Sequence, residues 1–408
     1  MSLVSVILPT YNRADTIHRA IESVRRQTLQ DWELVVIDDG STDNTAAVIQ
    51  KRYAREPRLR LIRQKNTGVS GARNAGMRAS AGKYLAFLDS DDEYLPHHLA
   101  LESAFLEAHP EENIVTAELW ENFGHDIFVK HYRIEIGQWY PAVARIIDSK
   151  MLDLPPDETD DYMRVYETRA PIGDWGRRIT DPLPYKDVYH YRGRIFEHLR
   201  WGYLMCTQPT MIRRSAWEKI GHEFEKGYLA EDFGFLAEFC RRYPINYLSI
   251  PGCFKHELTP DGQLPEENHV ATGKTAYFMG RCMVRNLESL FCRERAEDPE
   301  LRRLLGWRQY TLARAAIAHG RRDEALAHLN DSRRNFPGLP QATALYGAAK
   351  LIPQASLLQK AYIICYAIYY AWGQIQRNEL SVGDAIHKIM QRFRSRPHLS
   401  TSGSSGGA

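Results

Sequence analysis

Short apolar runs alternate with helical patterns over the first hundred residues. VSVIL (Val4 to Leu8) precedes a helical pattern carrying Ile17, Ala20, Ile21 and Val24, and ELVVID (Glu33 to Asp38) precedes one starting near Thr42. LRLIRQ (Leu59 to Gln64) leads into a segment from Ser70 to Ala79, and YLAFL (Tyr84 to Leu88) into a helix starting near Pro96. Strands separated by helices predict an α/β architecture with a parallel sheet covered on both faces. Such sheets bind ligands at the carboxyl ends of their strands. Each unusual polar cluster falls at such an end: PTYNR after the first strand, DDGSTD after the second, NTGVSGARNAG after the third and DSDDE after the fourth.

The last cluster gathers Asp89, Asp91, Asp92 and Glu93 behind a buried run. Like charges this close repel one another and raise each other's pKa unless something positive lies among them. A divalent cation is the simplest remedy. Hard cations with oxygen ligands, Mg²⁺ or Mn²⁺, take one or two carboxylates and complete their shell from phosphate and water, so a phosphorylated ligand is implied. Capping of the next helix is the plainer account of Asp92 and Glu93. A calcium EF-hand loop is excluded because its sixth position, a required glycine, is Tyr94. In DDGSTDNT a turn and N-cap explain Ser41 and Thr42 but leave Asp38 and Asp39 unexplained. The glycine-rich GVSGARNAG suits phosphate or ribose at a helix start, a weak pattern by itself.

Composition narrows the partners. The 408 residues carry 53 basic and 51 acidic side chains, so no overall field points to nucleic acid. Six cysteines without a CxxC pair read as buried free thiols of a reducing compartment. The apolar start MSLVSVILPTYN lacks a basic leader and is broken by Pro9, so it reads as a first strand, and the expected location is cytoplasmic. The longest apolar stretch, Ala361 to Trp372, is shorter than the ~20 residues that span a bilayer.

Together, VSVILPTYNRADTIHRAIESVRRQTLQDWELVVIDDGSTDNT, NTGVSGARNAG, GKYLAFLDSDDEYLP and the later YLAEDFGFLAEF resemble the family-2 inverting glycosyltransferases. The likeness covers residues 3 to 115 closely and 203 to 260 loosely. It implies an A-type fold, a Rossmann-like, mostly parallel sheet flanked by helices. It further implies transfer of one sugar from a nucleotide diphosphate sugar, a UDP-sugar first, to an acceptor hydroxyl, with a divalent metal, Mn²⁺ or Mg²⁺, on the diphosphate. By the resemblance Asp39 contacts the base, Pro9, Thr10 and Tyr11 line the same pocket, and Gly68 and Arg73 lie beside the nucleotide. Asp89 and Asp91 form its DxD motif, with Asp91 the metal ligand and Asp89 nearer the ribose and donor sugar. Asp232 matches the catalytic base and Glu231 is its acidic neighbour. The chemistry requires such a carboxylate, because a sugar hydroxyl must lose its proton as it attacks. His256 carries over as a residue near the metal, whereas His97 and His98 read as surface residues. EHLRW (Glu197 to Trp201) differs from the QxxRW element of processive synthases in its first residue and in its place before AEDF, which favours single-sugar addition.

The expected organisation is a nucleotide-sugar half over 1–115, an acceptor half over 116–265, a helical C-terminal extension over 266–395 and a flexible tail over 396–408. Residues 119 to 200 are rich in Tyr, Trp, Arg and Asp; aromatic faces stack on sugar rings, which suits the acceptor side of the cleft, and a loop-rich lid packed on itself is the alternative. Leu305 to Gly338 resembles one tetratricopeptide repeat. The Ala361–Trp372 stretch with Arg377, Lys388, Arg392, Arg394 and Arg396 suits peripheral contact with an anionic membrane at its inner face, and a buried helix equally well. The expected partners are therefore the donor, a glycan or lipid-linked acceptor in surface-saccharide synthesis, and that membrane face. Two competing classes are a sugar nucleotidyltransferase, disfavoured because PTYNR replaces its glycine-rich first loop, and a catalytically silent scaffold, disfavoured by intact Asp39, Asp91 and Asp232.

Overall fold

The computed structural model describes residues 2–122, 128–130, 161–185, 187–202, 204–225, 231–256, 274–292, 295 and 297–362. Most of the Ala361–Trp372 stretch, the five basic residues after it, the tail and much of the expected acceptor region lie outside these described residues. The chain divides into two compact units, Met1–Leu301 and Arg302–Ala408.

Among the described residues the first unit has eleven strands: β1 (Val4–Thr10), β2 (Trp32–Asp38), β3 (Leu59–Arg63), β4 (Tyr84–Phe87), β5 (Glu93–Tyr94), β6 (Ile114–Asn122), β7 (Phe128–Lys130), β8 (Thr168–Pro171), β9 (Tyr189–Gly193), β10 (Thr210–Arg213) and β11 (Ile245–His256). Their order is β3-β2-β1-β4-β10-β6-β11-β9-β8, with β5 on β11 and β7 on β6. β1 pairs in parallel with β2 and β4, β2 with β3, and β6 with β11, while β10 is wedged antiparallel between β4 and β6. The predicted beat of strands is present, and every residue of β1 and β2 is buried. Both faces are covered, as near-continuous apolar strands require.

The helices of this unit are α1 (Ile17–Arg25), α2 (Thr45–Tyr53), α3 (Gly68–Ala79), α4 (His98–Ala108), α5 (Asp174–Thr180), α6 (Arg214–Ile220), α7 (Glu231–Arg242) and α8 (Lys274–Leu287). α2 starts at Thr45, later than the turn pattern suggested, because Asp43 accepts the Thr45 N–H at 2.9 Å. α3 lies so close to β1 that a Cβ on Gly76 would meet Ile7 Cγ2 at 2.5 Å. That contact fixes the helix start, and with it the glycine-rich loop, over the end of the sheet. Cys206, Cys240, Cys253 and Cys282 are buried and outside any disulfide, as composition suggested, whereas Cys292 is only partly buried.

α4 corrects one expectation. His97 and His98 are buried, not on the surface, with the His97 ring bonded to the Pro251 carbonyl oxygen at 2.8 Å. His98 Nε2 lies 3.3 Å from Glu102 Oε2, one helical turn on, and both side chains are fully buried. Burial lowers the His98 pKa to about 3 and raises that of Glu102 well above its usual range. The unfolded chain ionises Glu102 above about pH 4.5, so this group costs native stability as pH rises, at most about 1.4 kcal/mol per pH unit. Glu102→Gln should therefore raise the urea midpoint over wild type more at pH 8 than at pH 5. An equal effect at both values would show Glu102 ionised in the fold.

In the second unit, α9 (Pro299–Ala318, which begins at the end of the first), α10 (Arg322–Asn335) and α11 (Pro340–Leu351) follow one another through short turns. Gly320 makes the first turn at φ +69°. Ser332 donates its hydroxyl to the Gly306 carbonyl at 2.6 Å, and a Cβ on Gly306 would meet Phe336 at 2.6 Å, so α9 and α10 form a close antiparallel hairpin. Among the described residues no helix is long and apolar enough to cross a membrane.

Candidate active site

The ends of β1, β2 and β4 and the start of α3 converge on a cleft of about 500 Å³. Pro9, Thr10, Tyr11, Arg13, Asp39, Gly68, Arg73, Asp89, Asp91 and Glu231 all line it. Nine of the eleven residues singled out from the sequence thus face one space, Glu231 among them from the second half. Asp232 and His256 are not in that lining.

Each side chain is placed by local structure. Asp39 follows β2, and its carboxylate accepts the N–H groups of Thr67 at 2.9 Å and Gly68 at 2.8 Å and the Gln64 amide at 2.7 Å. It caps α3 from across the sheet, supplying the acceptor that orphan N-terminal donors need. Gly68 takes φ +79°, a left-handed value that favours glycine. Asp38 is buried between the Ser41 N–H at 2.9 Å and Arg63 Nε at 2.8 Å. Thr10 Oγ1 is buried without a hydrogen-bond partner in the protein, a donor left for a ligand. Tyr11 is 44% exposed and Val69 42%, presenting apolar surface at the mouth.

Arg73 is the hub. Buried on α3, it donates from Nη2 to Asp89 Oδ1 at 2.7 Å and from Nη1 to Glu231 Oε1, and its guanidinium carbon stands 5.3 Å from the Phe224 ring centre. Burial opposes its charge, but the carboxylates of Asp89, Glu231 and Asp232 outweigh burial and raise its pKa. One cation thereby ties the end of β4 to the start of α7. The neighbouring Asn74 reinforces the link: its amide donates to the Phe224 carbonyl at 2.8 Å and accepts the Phe224 N–H at 2.9 Å, and Phe224 stacks on Phe235 of α7 at 4.0 Å. Asn74 was not singled out from the sequence, nor was Gln208, whose amide holds Asp89 Oδ2 at 2.7 Å. Their partners lie more than a hundred residues away, and local pattern carries no signal for them.

The acidic cluster is partly compensated by the chain itself, which corrects the argument from repulsion. Asp89 pairs with Arg73, Asp91 with Arg13 at 3.2 Å, and Glu93 with Arg19 at 3.6 Å, Arg26 at 3.3 Å and the His256 ring at 3.0 Å. Burial opposes the Glu93 charge, but its hydrogen bond with the His256 ring and the nearby Arg19 and Arg26 hold the carboxyl below its usual range. Asp92 is neither a cap nor paired with a cation. It accepts the His256 N–H at 3.1 Å, and burial, then the charges of Asp91 and Asp89, push its pKa well above the usual range. His256 reaches the cluster through Glu93 and Asp92 rather than through Asp91.

Among the described residues no group of three His, Cys, Asp or Glu side chains is arranged to hold a metal by itself. A cation that takes one or two carboxylates and completes its shell from phosphate needs less. Asp91, 45% exposed on the cleft wall, fits that role. Asp232 stands in the first turn of α7, its Oδ1 accepting the Phe233 N–H at 2.9 Å, one residue from the cleft-lining Glu231.

Residues 5–170 match the model of glycosyl transferase family 2. An uncharacterized glycosyltransferase of Rickettsia bellii is 44% identical over 104 residues, 26% of this chain and 15% of that protein. The chondroitin synthase of Escherichia coli is 44% identical over 99 residues, 24% of this chain and 14% of that one. The matched stretch is thus a small part of each relative's length. The structure of S. aureus TarS 1-349 in complex with UDP-GlcNAc overlays with a TM-score of 0.50 at 18% identity, covering 89% of this chain and 91% of that one. That likeness supports the fold: an α/β, A-type glycosyltransferase architecture with a helical C-terminal region.

Proposed function

We propose that this protein is an inverting glycosyltransferase that moves one sugar from a nucleotide diphosphate sugar, UDP-linked by first expectation, to a hydroxyl of a glycan or lipid-linked acceptor. The observation that carries the reading is the meeting of Asp39, Arg73, Asp89 and Asp91, all within the stretch matched to family 2, with Glu231 from beyond it in one cleft. A chondroitin synthase among the relatives and a UDP-GlcNAc complex among the fold neighbours favour a glycan product and a uridine donor.

In this reading Tyr11 and Val69 flank the base, Asp39 and the buried Thr10 hydroxyl orient the nucleoside, and Asp89, braced by Arg73 and Gln208, faces the ribose and donor sugar. Asp91 holds the divalent cation, which when bound supplies positive charge to the departing diphosphate. Asp232 takes the proton of the acceptor hydroxyl as that oxygen bonds to the anomeric carbon and the bond to the diphosphate breaks on the opposite side. Glu231, committed to Arg73, orients the first turn of α7 rather than accepting the proton, because protonating it would discard a buried ion pair. Peripheral membrane contact stays a proposal, since its residues lie outside those described.

The test is donor consumption across a panel of nucleotide sugars, with Mn²⁺, Mg²⁺ or chelator. The account expects one nucleotide class to be turned over in the presence of metal. Absence of turnover for every donor, with correctly folded protein and varied acceptors, would contradict it.

A further inference from the structure

The cleft lining carries more negative than positive charge. Asp39, Asp89, Asp91 and Glu231 contribute carboxylates, against the guanidiniums of Arg13 and Arg73. Arg73 is buried and committed on both sides. Arg13 is different. About 45% exposed, its guanidinium forms one ion pair among the described residues, Nη2 to Asp91 Oδ2 at 3.2 Å, with a carboxylate equally exposed. Exposed pairs of this kind contribute little to stability and open readily.

The backbone on both sides of this weak contact is fixed. Asn12 sits at φ +51°. The Asn12 N–H donates to Ser41 Oγ at 3.0 Å, and its side-chain oxygen accepts the Thr42 N–H at 2.8 Å. The Arg13 N–H donates to Thr45 Oγ1 at 2.8 Å. Asn tolerates left-handed backbone, so this latch aims Arg13 along the cleft wall. Opposite, Arg19 holds the Asp91 carbonyl oxygen. Only the two side-chain ends are left to move.

We propose that Arg13 is a second anchor for the donor's diphosphate, held in reserve by Asp91. In the ligand-free protein its guanidinium covers the carboxylate. When Asp91 is claimed by a divalent cation, Arg13 is released and its planar fork turns to a phosphate oxygen, a partner it matches in geometry. Arg13 thus competes with the cation alone yet assists cation and nucleotide together. This rests on the proposed donor chemistry and adds a residue that chemistry did not require.

The experiment compares wild type, Arg13→Gln and Arg13→Lys in two titrations: Mn²⁺ alone, followed by the electron paramagnetic resonance of free Mn²⁺, and UDP at saturating Mn²⁺, followed by calorimetry. Arg13→Gln should tighten Mn²⁺ alone about two- to fivefold, by loss of the competing pair. It should weaken UDP about tenfold or more, by loss of a charged hydrogen bond. Arg13→Lys should lie between the two in both titrations, since it keeps the charge without the fork. Unchanged UDP affinity, or Mn²⁺ binding that weakens with the substitution, would overturn the proposal. If wild type itself binds neither UDP nor another nucleoside diphosphate with Mn²⁺, the reading of the site falls instead.

Discussion

Asp232→Asn should lower turnover by about 10²–10⁴-fold, the range set by a positioned general base, while affinity for the donor nucleotide stays near wild type. The substitution keeps the size of the side chain and its acceptor for the Phe233 N–H, so the start of α7 should hold. What is lost is the capacity to accept a proton. Glu231→Gln is the informative partner. Because Glu231 is bound to Arg73, its neutral form should loosen the bridge between β4 and α7 and raise the donor KM along with lowering kcat. If Asp232→Asn turns over normally and Glu231→Gln does not, the two roles are exchanged. Single-turnover measurements at saturating donor separate the cases, since they read chemistry apart from binding.

Arg73→Met should give the largest loss of stability, about 3–5 kcal/mol, the cost of removing one partner from a buried ion pair. Asp89 would keep the Gln208 amide, but Glu231 would lose the cation that holds it. Methionine fills similar volume, so the loss reports charge more than packing. A urea midpoint within about 1 kcal/mol of wild type would mean that Arg73 does not organise the site.

Those two residues mark the boundary between what local sequence reveals and what it does not. β1 to β4 were legible because each is an apolar run closed by a polar cluster, and the same clusters announced the cleft. Asp39, Asp89 and Asp91 could be picked out because they fall in acidic clusters at strand ends and match the motifs on which the family resemblance rests. Their actual partners were not visible. Asp39 caps a helix nearly thirty residues on, Arg73 reaches across to Glu231, and Asn74 clasps the backbone of Phe224. β10 was missed as a central strand because TMIR is too short for a periodic signal, although it sits between β4 and β6. His98 was misplaced because a histidine in a helix after a turn reads as polar, while the fold packs it under Tyr94, ring centres 4.2 Å apart. The repulsion expected at DSDDE was reasoned correctly from spacing alone, yet Arg13, Arg19, Arg26 and Arg73 come from helices and loops that spacing cannot place.

The central claim is that this cleft holds a nucleoside diphosphate between Asp39 and Asp91. A crystal structure grown with Mn²⁺ and the nucleotide of the preferred donor tests it most directly. The account predicts the base against Tyr11 near Asp39, the two phosphates at the metal on Asp91, and Arg13 turned from Asp91 toward them. A nucleotide seated outside the β1, β2 and β4 ends, or a metal bound without Asp91, would contradict it.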